Sequence, residues 1–172
     1  GFLVYQRGRI RHESYANGML AETPHLSQSV AKSIVGALVG ILVTRETLDL
    51  NTPLADYVPE LAGCGYGDAT MDHVLNMQSG VRFTEDYGVA DSDMTRIDVA
   101  AGWRPEPAGK PYQSIRDVIL TLPKIRPHGH VFEYRSIETD VAAWVLEDAA
   151  CNACQPRNLA TDGSGARRFL YH

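Results

Sequence analysis

At 172 residues the chain is long enough for one domain with its own core, and 44% hydrophobic against 22% charged residues is the balance of a globular protein. A formal net charge of -5 argues against nucleic acid or an anionic membrane as partner. No apolar run is long enough to span a bilayer, and three cysteines do not make a disulfide framework.

Phe2 to Ala16 predicts a β-hairpin, with apolar and aromatic residues flanking a turn at Gln6-Arg7-Gly8-Arg9. A lone hairpin is marginal in water, so these strands are expected to belong to a larger sheet. After a loop over Ala16–Pro24, Ile34 to Val43 is apolar nearly all round. That pattern predicts a buried helix with Ser27 as its N-cap, and Ser33, Gly36 and Gly40 form a small-residue face suited to close packing. Pro53 marks the first turn of a short helix that Pro59 and the Gly63–Gly67 cluster terminate. Thr70 caps a further short helix, with Val74, Leu75 and Met77 facing inward and Ser79-Gly80 as its stop. Phe83 to Pro111 lacks periodicity and, with Tyr87 and Trp103 and with Tyr112 just beyond, reads as a functional loop. Ser114 caps an amphipathic helix to Leu122, Pro127-His128-Gly129 is a turn, and Val131–Tyr134 is a short extended run. Thr139–Ala150 predicts a last helix with Val141, Ala142, Val145 and Leu146 inward. One domain over residues 1–150 and a loose tail over 151–172 follow, five or six helices against one hairpin.

Chemistry concentrates at the head of the long helix. Ser29 is placed in its first turn and Lys32 three residues later, so hydroxyl and amine share a side. A serine hydroxyl is a poor nucleophile until a base takes its proton, and a lysine in a sequestered site can be that base. Tyr134 adds a phenol that can shuttle protons beside an amine. The alternatives are a solvated lysine and a hydrogen-bonded core tyrosine.

Ser29-Val30-Ala31-Lys32 on an apolar helix, followed by Tyr134-Arg135-Ser136, resembles the serine β-lactamase and penicillin-binding-protein superfamily. Leu48–Pro53, Tyr57–Leu61 and Met71–Val81 resemble connectors of its class C and esterase-like branch. Glu85-Asp86-Tyr87, Ala101-Gly102-Trp103 and Tyr134–Trp144 look like the 6-aminohexanoate-dimer hydrolases in particular. The resemblance covers roughly residues 1 to 148. It implies an α+β architecture: the mostly helical part of a β-lactamase-like fold, with a hairpin from an antiparallel sheet that is incomplete here. It also implies Ser29 as acylated nucleophile, Lys32 as base and Tyr134 as proton relay. Tyr87 would close over substrate, Asp98 would hold a substrate ammonium, and Ser136, which completes the Tyr-x-Ser element, would also bind substrate. The Ser29 N–H would supply half of an oxyanion hole. Family members are about twice as long, and no segment here matches their returning strand with its third motif. The expectation is therefore a C-terminally truncated serine hydrolase that is weakly active or inactive.

The competing class is a non-catalytic, mainly helical binding domain in which Ser29 and Lys32 are incidental. A metal site at Cys151-x-x-Cys154 lacks the four ligands zinc needs, even with His128 and His130 nearby, so no metal or other cofactor is expected. The expected partner is a small amide or ester, with no nucleic acid and no membrane. The chain starts at Gly1 in what reads as mid-strand, so the true N-terminus and any targeting signal are expected to lie upstream. A soluble, cytoplasmic rather than periplasmic, protein is expected.

Overall fold

The computed structural model describes residues 1–154 except 91, 108, 110 and 112. They divide into two compact units, Gly1–Ala31 and Lys32 onward.

The first unit is the hairpin and the loop after it. Strands β1 (Phe2–Gln6) and β2 (Arg9–Ser14) pair antiparallel, with a register shift between Val4 and Tyr5. Arg7 and Gly8 both have positive φ, the geometry of the tight hairpin turn that matches strand twist. Every residue of both strands is exposed, so this two-stranded ribbon buries no face of its own.

Six helices follow: α1 (Val30–Thr44), α2 (Leu54–Tyr57), α3 (Met71–Leu75), α4 (Asp93–Ala100), α5 (Ile115–Leu120) and α6 (Ile137–Cys154), with a 3-10 turn at Pro59–Gly63. Helix α6 is the hub of the second unit and packs on α2, α3 and α5. Its inner residues Ile137, Val141, Ala142 and Val145 meet Leu54, Leu61, Met71, Val74, Val118 and Ile119 in one cluster. Each fully buried Val, Leu or Ile of this kind contributes roughly 1.5–3 kcal/mol. Arg116 of α5 pairs with Glu147 of α6 and lies over the Trp144 ring, which fixes how those two helices sit.

Several expectations change. Helix α1 forms where predicted but is not buried: Val39 is its single buried residue, with Val35, Leu42 and Val43 half-buried against the core. Ile34, Leu38 and Ile41 are exposed, because the described residues cover one side of this helix. Among the described residues no neighbouring element comes within 4 Å of where a Cβ on Gly36 or Gly40 would stand, so among them the small-residue face is not a close-packing surface. The helix starts at Val30, so Ser27 is not its N-cap; the Ser27 carbonyl accepts from the Val30 N–H at 3.0 Å. Helix α2 does end just ahead of Pro59, at Tyr57, and Pro59 then starts a separate 3-10 turn. Leu75 is exposed, since α3 is a single turn that buries Met71 and Val74. The stretch from Phe83 contains α4, capped by Ser92 and burying Met94 and Ile97. Helix α6 runs past Ala150 to Cys154; the proposed tail from 155 on, the Cys154 side chain and Tyr112 lie outside the described residues.

The Thr70 and Ser114 caps form as expected. Each accepts from the backbone N–H three residues on, and His73 and Asp117 return the bond to the cap N–H. The turn after α3 lies against the segment before α6. Ile125 N–H donates to Gly80 O, Arg82 N–H to Pro123 O, Gly129 N–H to Gln78 O and Glu133 N–H to Met77 O. Gly80 has φ +65°, and a Cβ there would stand 2.5 Å from the Arg126 carbonyl oxygen, so only glycine fits.

Candidate active site

Lys32 lies in the first turns of α1, and Tyr134 and Ser136 precede α6 by a few residues. Their side chains meet although about a hundred positions separate them in sequence. The Lys32 Nζ donates to Ser136 Oγ at 3.3 Å and stands 5.1 Å from the centre of the Tyr134 ring. A lysine head group over a phenol face is favourable in itself.

Glu85, which the sequence did not single out, ties this cluster together. Its carboxylate accepts from the Ser136 N–H at 2.7 Å, the Ser136 hydroxyl at 2.6 Å and the Tyr87 hydroxyl at 2.8 Å. Three donors on one carboxylate fix the Ser136 rotamer and orient its oxygen toward Lys32. The same bond holds the Tyr87 phenol above its ordinary pKa. Asp140 is the second carboxylate near the amine. Burial raises it to about 6, the Lys32 charge pulls it down and Glu85 pushes it up. Signals for both were present: Glu85 is two residues from Tyr87, and Asp140 is four from Ser136 at a helix start.

Tyr87 is exposed, joined to the cluster through Glu85. Asp98, expected on a loop, is a buried residue of α4. Its carboxylate is held by the Arg104 Nε at 2.9 Å, and the same guanidinium donates to the Tyr87 carbonyl at 3.1 Å. Asp98 therefore connects to the Tyr87 segment through Arg104, not to Lys32. Ser29 is an exposed residue of the turn that leads into α1, in the first unit. Beneath Lys32 is a cavity of about 60 Å³ whose walls include Lys32, Val35, Val74, Met77, Glu138 and Thr139. Among the described residues no group of His, Cys, Asp and Glu could hold a metal ion, and no helix is long and apolar enough to cross a membrane.

A family model described as Beta-lactamase matches residues 1–156. The chain belongs to this family. It is 36% identical over 148 residues to the 6-aminohexanoate-dimer hydrolase of Paenarthrobacter ureafaciens, covering 85% of this chain and 37% of that protein. A Bacillus anthracis structure, assigned by name only to the 6-aminohexanoate-dimer hydrolases, superposes with a TM-score of 0.76 at 24% identity. That match covers 87% of this chain and 39% of the other. A Bacteroides dorei DSM 17855 structure, assigned by name only to the beta-lactamases, gives 0.63 at 21% identity over 87% and 40%. At such identities the two structures speak for the fold: this is the β-lactamase-like fold, with six helices and a two-stranded antiparallel sheet among the described residues. The relatives are hydrolases by name, and the chain spans well under half their length.

Proposed function

We propose that this chain carries the nucleophile, base and proton relay of a serine hydrolase acting on amides or esters. The observation that supports it is the convergence of Lys32, Ser136 and Tyr134, with amine, hydroxyl and phenol in contact across a hundred residues of sequence.

Ser29 stands three positions before Lys32 and supplies the hydroxyl. Neutral Lys32 takes the Ser29 proton as the oxygen attacks the substrate carbonyl, and the new ammonium is balanced by the Asp140 and Glu85 carboxylates. The tetrahedral intermediate collapses, its C–N or C–O bond breaks, and Tyr134 gives its proton to the leaving amine or alcohol. The Lys32 ammonium reprotonates the phenolate. Water then repeats the sequence on the acyl-serine and releases the acid, leaving Ser29 and Lys32 as they began. Tyr87 lines the substrate side. A substrate ammonium would compete with Arg104 for Asp98, whereas an uncharged end would not. The name of the Paenarthrobacter relative makes short linear amides the first substrates to try.

Treatment with a fluorophosphonate or a penicillin, followed by peptide mapping, tests this. The adduct is expected on the peptide containing Ser29 and is lost in Ser29→Ala. Labelling that persists in Ser29→Ala, or none at all, overturns the reading and leaves the non-catalytic helical domain.

A further inference from the structure

Between Tyr134 and Ser136 the chain places Arg135, whose side chain runs the other way. Tyr134 is 44% exposed and Arg135 is 1% exposed. Inside, Arg135 lies 3.7 Å from Glu138, which is fully buried, and its other terminal nitrogen pairs with the Glu133 carboxylate. Glu138 Oε1 accepts from the hydroxyl of Ser79, also fully buried, at 2.5 Å. Ser79 belongs to the turn after α3, and its own carbonyl accepts from His128 Nδ1. His128 Nε2 meets Asp68 at 2.9 Å, and Asp68 pairs with Lys124. An unbroken polar line therefore runs from the surface at Lys124 to the backbone between the two site residues.

This line has more polarity than packing requires. Glu138 Oε2 and Arg135 Nε are buried with no hydrogen-bond partner among the described residues. Apolar side chains would fill the same space without that desolvation. An ion pair adds direction, however. Arg135 turns inward to Glu138 and Glu133 while Tyr134 before it is exposed and Ser136 after it is half-buried, so the pair anchors the backbone between the two. We propose that Ser79, Arg135 and Glu138 are positioning residues that hold Tyr134 and Ser136 against Lys32. The shared cavity wall of Glu138 and Lys32 puts this device directly behind the site. Its catalytic consequence rests on the hydrolase reading above; the geometric statement does not.

The test uses Glu138→Gln and the double change Arg135→Met with Glu138→Met. The single change strands a buried guanidinium, so a loss of stability there is uninformative alone. The double change removes both charges and is expected to melt within about 5 °C of the parent. If the pair only stabilises, the double variant regains parental behaviour in every assay. If it positions, Ser29 labelling by the fluorophosphonate stays down by about tenfold in rate constant, with apparent probe affinity within about twofold.

A second arm needs no activity. With 3-fluorotyrosine incorporated and the Tyr134 resonance assigned by Tyr134→Phe, Lys32→Met should shift that resonance in the parent and leave it unmoved in the double variant. Absence of Ser29 labelling in the parent would sink the hydrolase reading alone. A Tyr134 resonance that responds to Lys32→Met equally in parent and double variant overturns the positioning role.

Discussion

Helices α1 and α6 invert the usual relation between composition and burial. Helix α1 is the more apolar, yet buries one residue; α6 carries two carboxylates in its first turn and buries one of them completely. What decides is the number of neighbours. Helix α6 has α2, α3 and α5 around it, so even Glu138 is drawn in and must be paired. Helix α1 meets the core along Val35, Val39, Leu42 and Val43 and faces outward with Ile34, Leu38 and Ile41. Apolar periodicity reports which surface favours cover; burial reports which surface has it.

The widest separation between the two helices is expected from truncation. Trp144→Ala in α6 removes a buried ring and the surface under Arg116, and should cost about 3–5 kcal/mol in urea unfolding. Ile34→Ala in α1 should change stability by less than about 0.5 kcal/mol. Equal losses would break the comparison.

The charged half of α6 gives the next effect. Burial raises Glu138 from 4.5 to about 7 against the opposing pull of Ser79 and Arg135. Between those values the folded chain holds more protons than the unfolded chain. Stability should therefore fall as pH rises from about 4.5 to about 7, by about 3 kcal/mol in all. Asp140, raised to about 6, adds to the same slope. Asp68 acts oppositely: Lys124 and His128 hold it down at about 2, so its contribution is present above about 4 and is lost as pH falls toward 2. Melting temperatures across pH 4 to 8 should show the decline, and Glu138→Gln should flatten it. A profile unchanged by Glu138→Gln would mean that the buried carboxyl titrates normally.

Much of this organisation was legible in the residues, for local reasons. Arg7-Gly8 supplies a hairpin turn, and Thr70 and Ser114 carry their capping partners three positions on; such signals lie within a few residues of one another. Ser29, Lys32, Tyr134 and Ser136 were singled out by chemistry and likeness, and Lys32, Tyr134 and Ser136 do converge. The bonds of Glu85 to Ser136 and of Ser79 to Glu138 are not legible in the sequence because they join residues more than fifty positions apart, which no periodicity records. The exposure of α1 was misread because an apolar run specifies an inward preference without specifying a neighbour.

Helix α4 falls between these extremes and was missed outright. Its polar run Asp93-Met94-Thr95-Arg96 masks two inward residues, Met94 and Ile97, three apart. Its start is fixed by Ser92, which accepts from the Thr95 N–H at 3.1 Å and donates to the Asp86 carbonyl. Ser92→Ala should cost about 1 kcal/mol and loosen the segment that carries Tyr87, measurable as faster amide exchange over residues 86–90. Unchanged exchange there would show that the remaining bonds, from Arg104 to the Tyr87 carbonyl and from Thr95 to the Val89 carbonyl, hold the segment without the Ser92 hydroxyl.

The smallest expected effect is the most direct test of α1. Leu38→Lys places a charge on its outer face, where the parent side chain is 48% exposed. A lysine there keeps its amine in water while its stem covers neighbouring apolar surface, so the change should lie within about 0.5 kcal/mol of zero. Binding of a hydrophobic dye should fall with it, because the exposed stripe of Ile34, Leu38 and Ile41 is interrupted. A loss above about 1 kcal/mol requires Leu38 to be covered in solution, since only a desolvated lysine carries that penalty. Helix α1 would then be as enclosed as its composition suggests, and its difference from α6 would disappear.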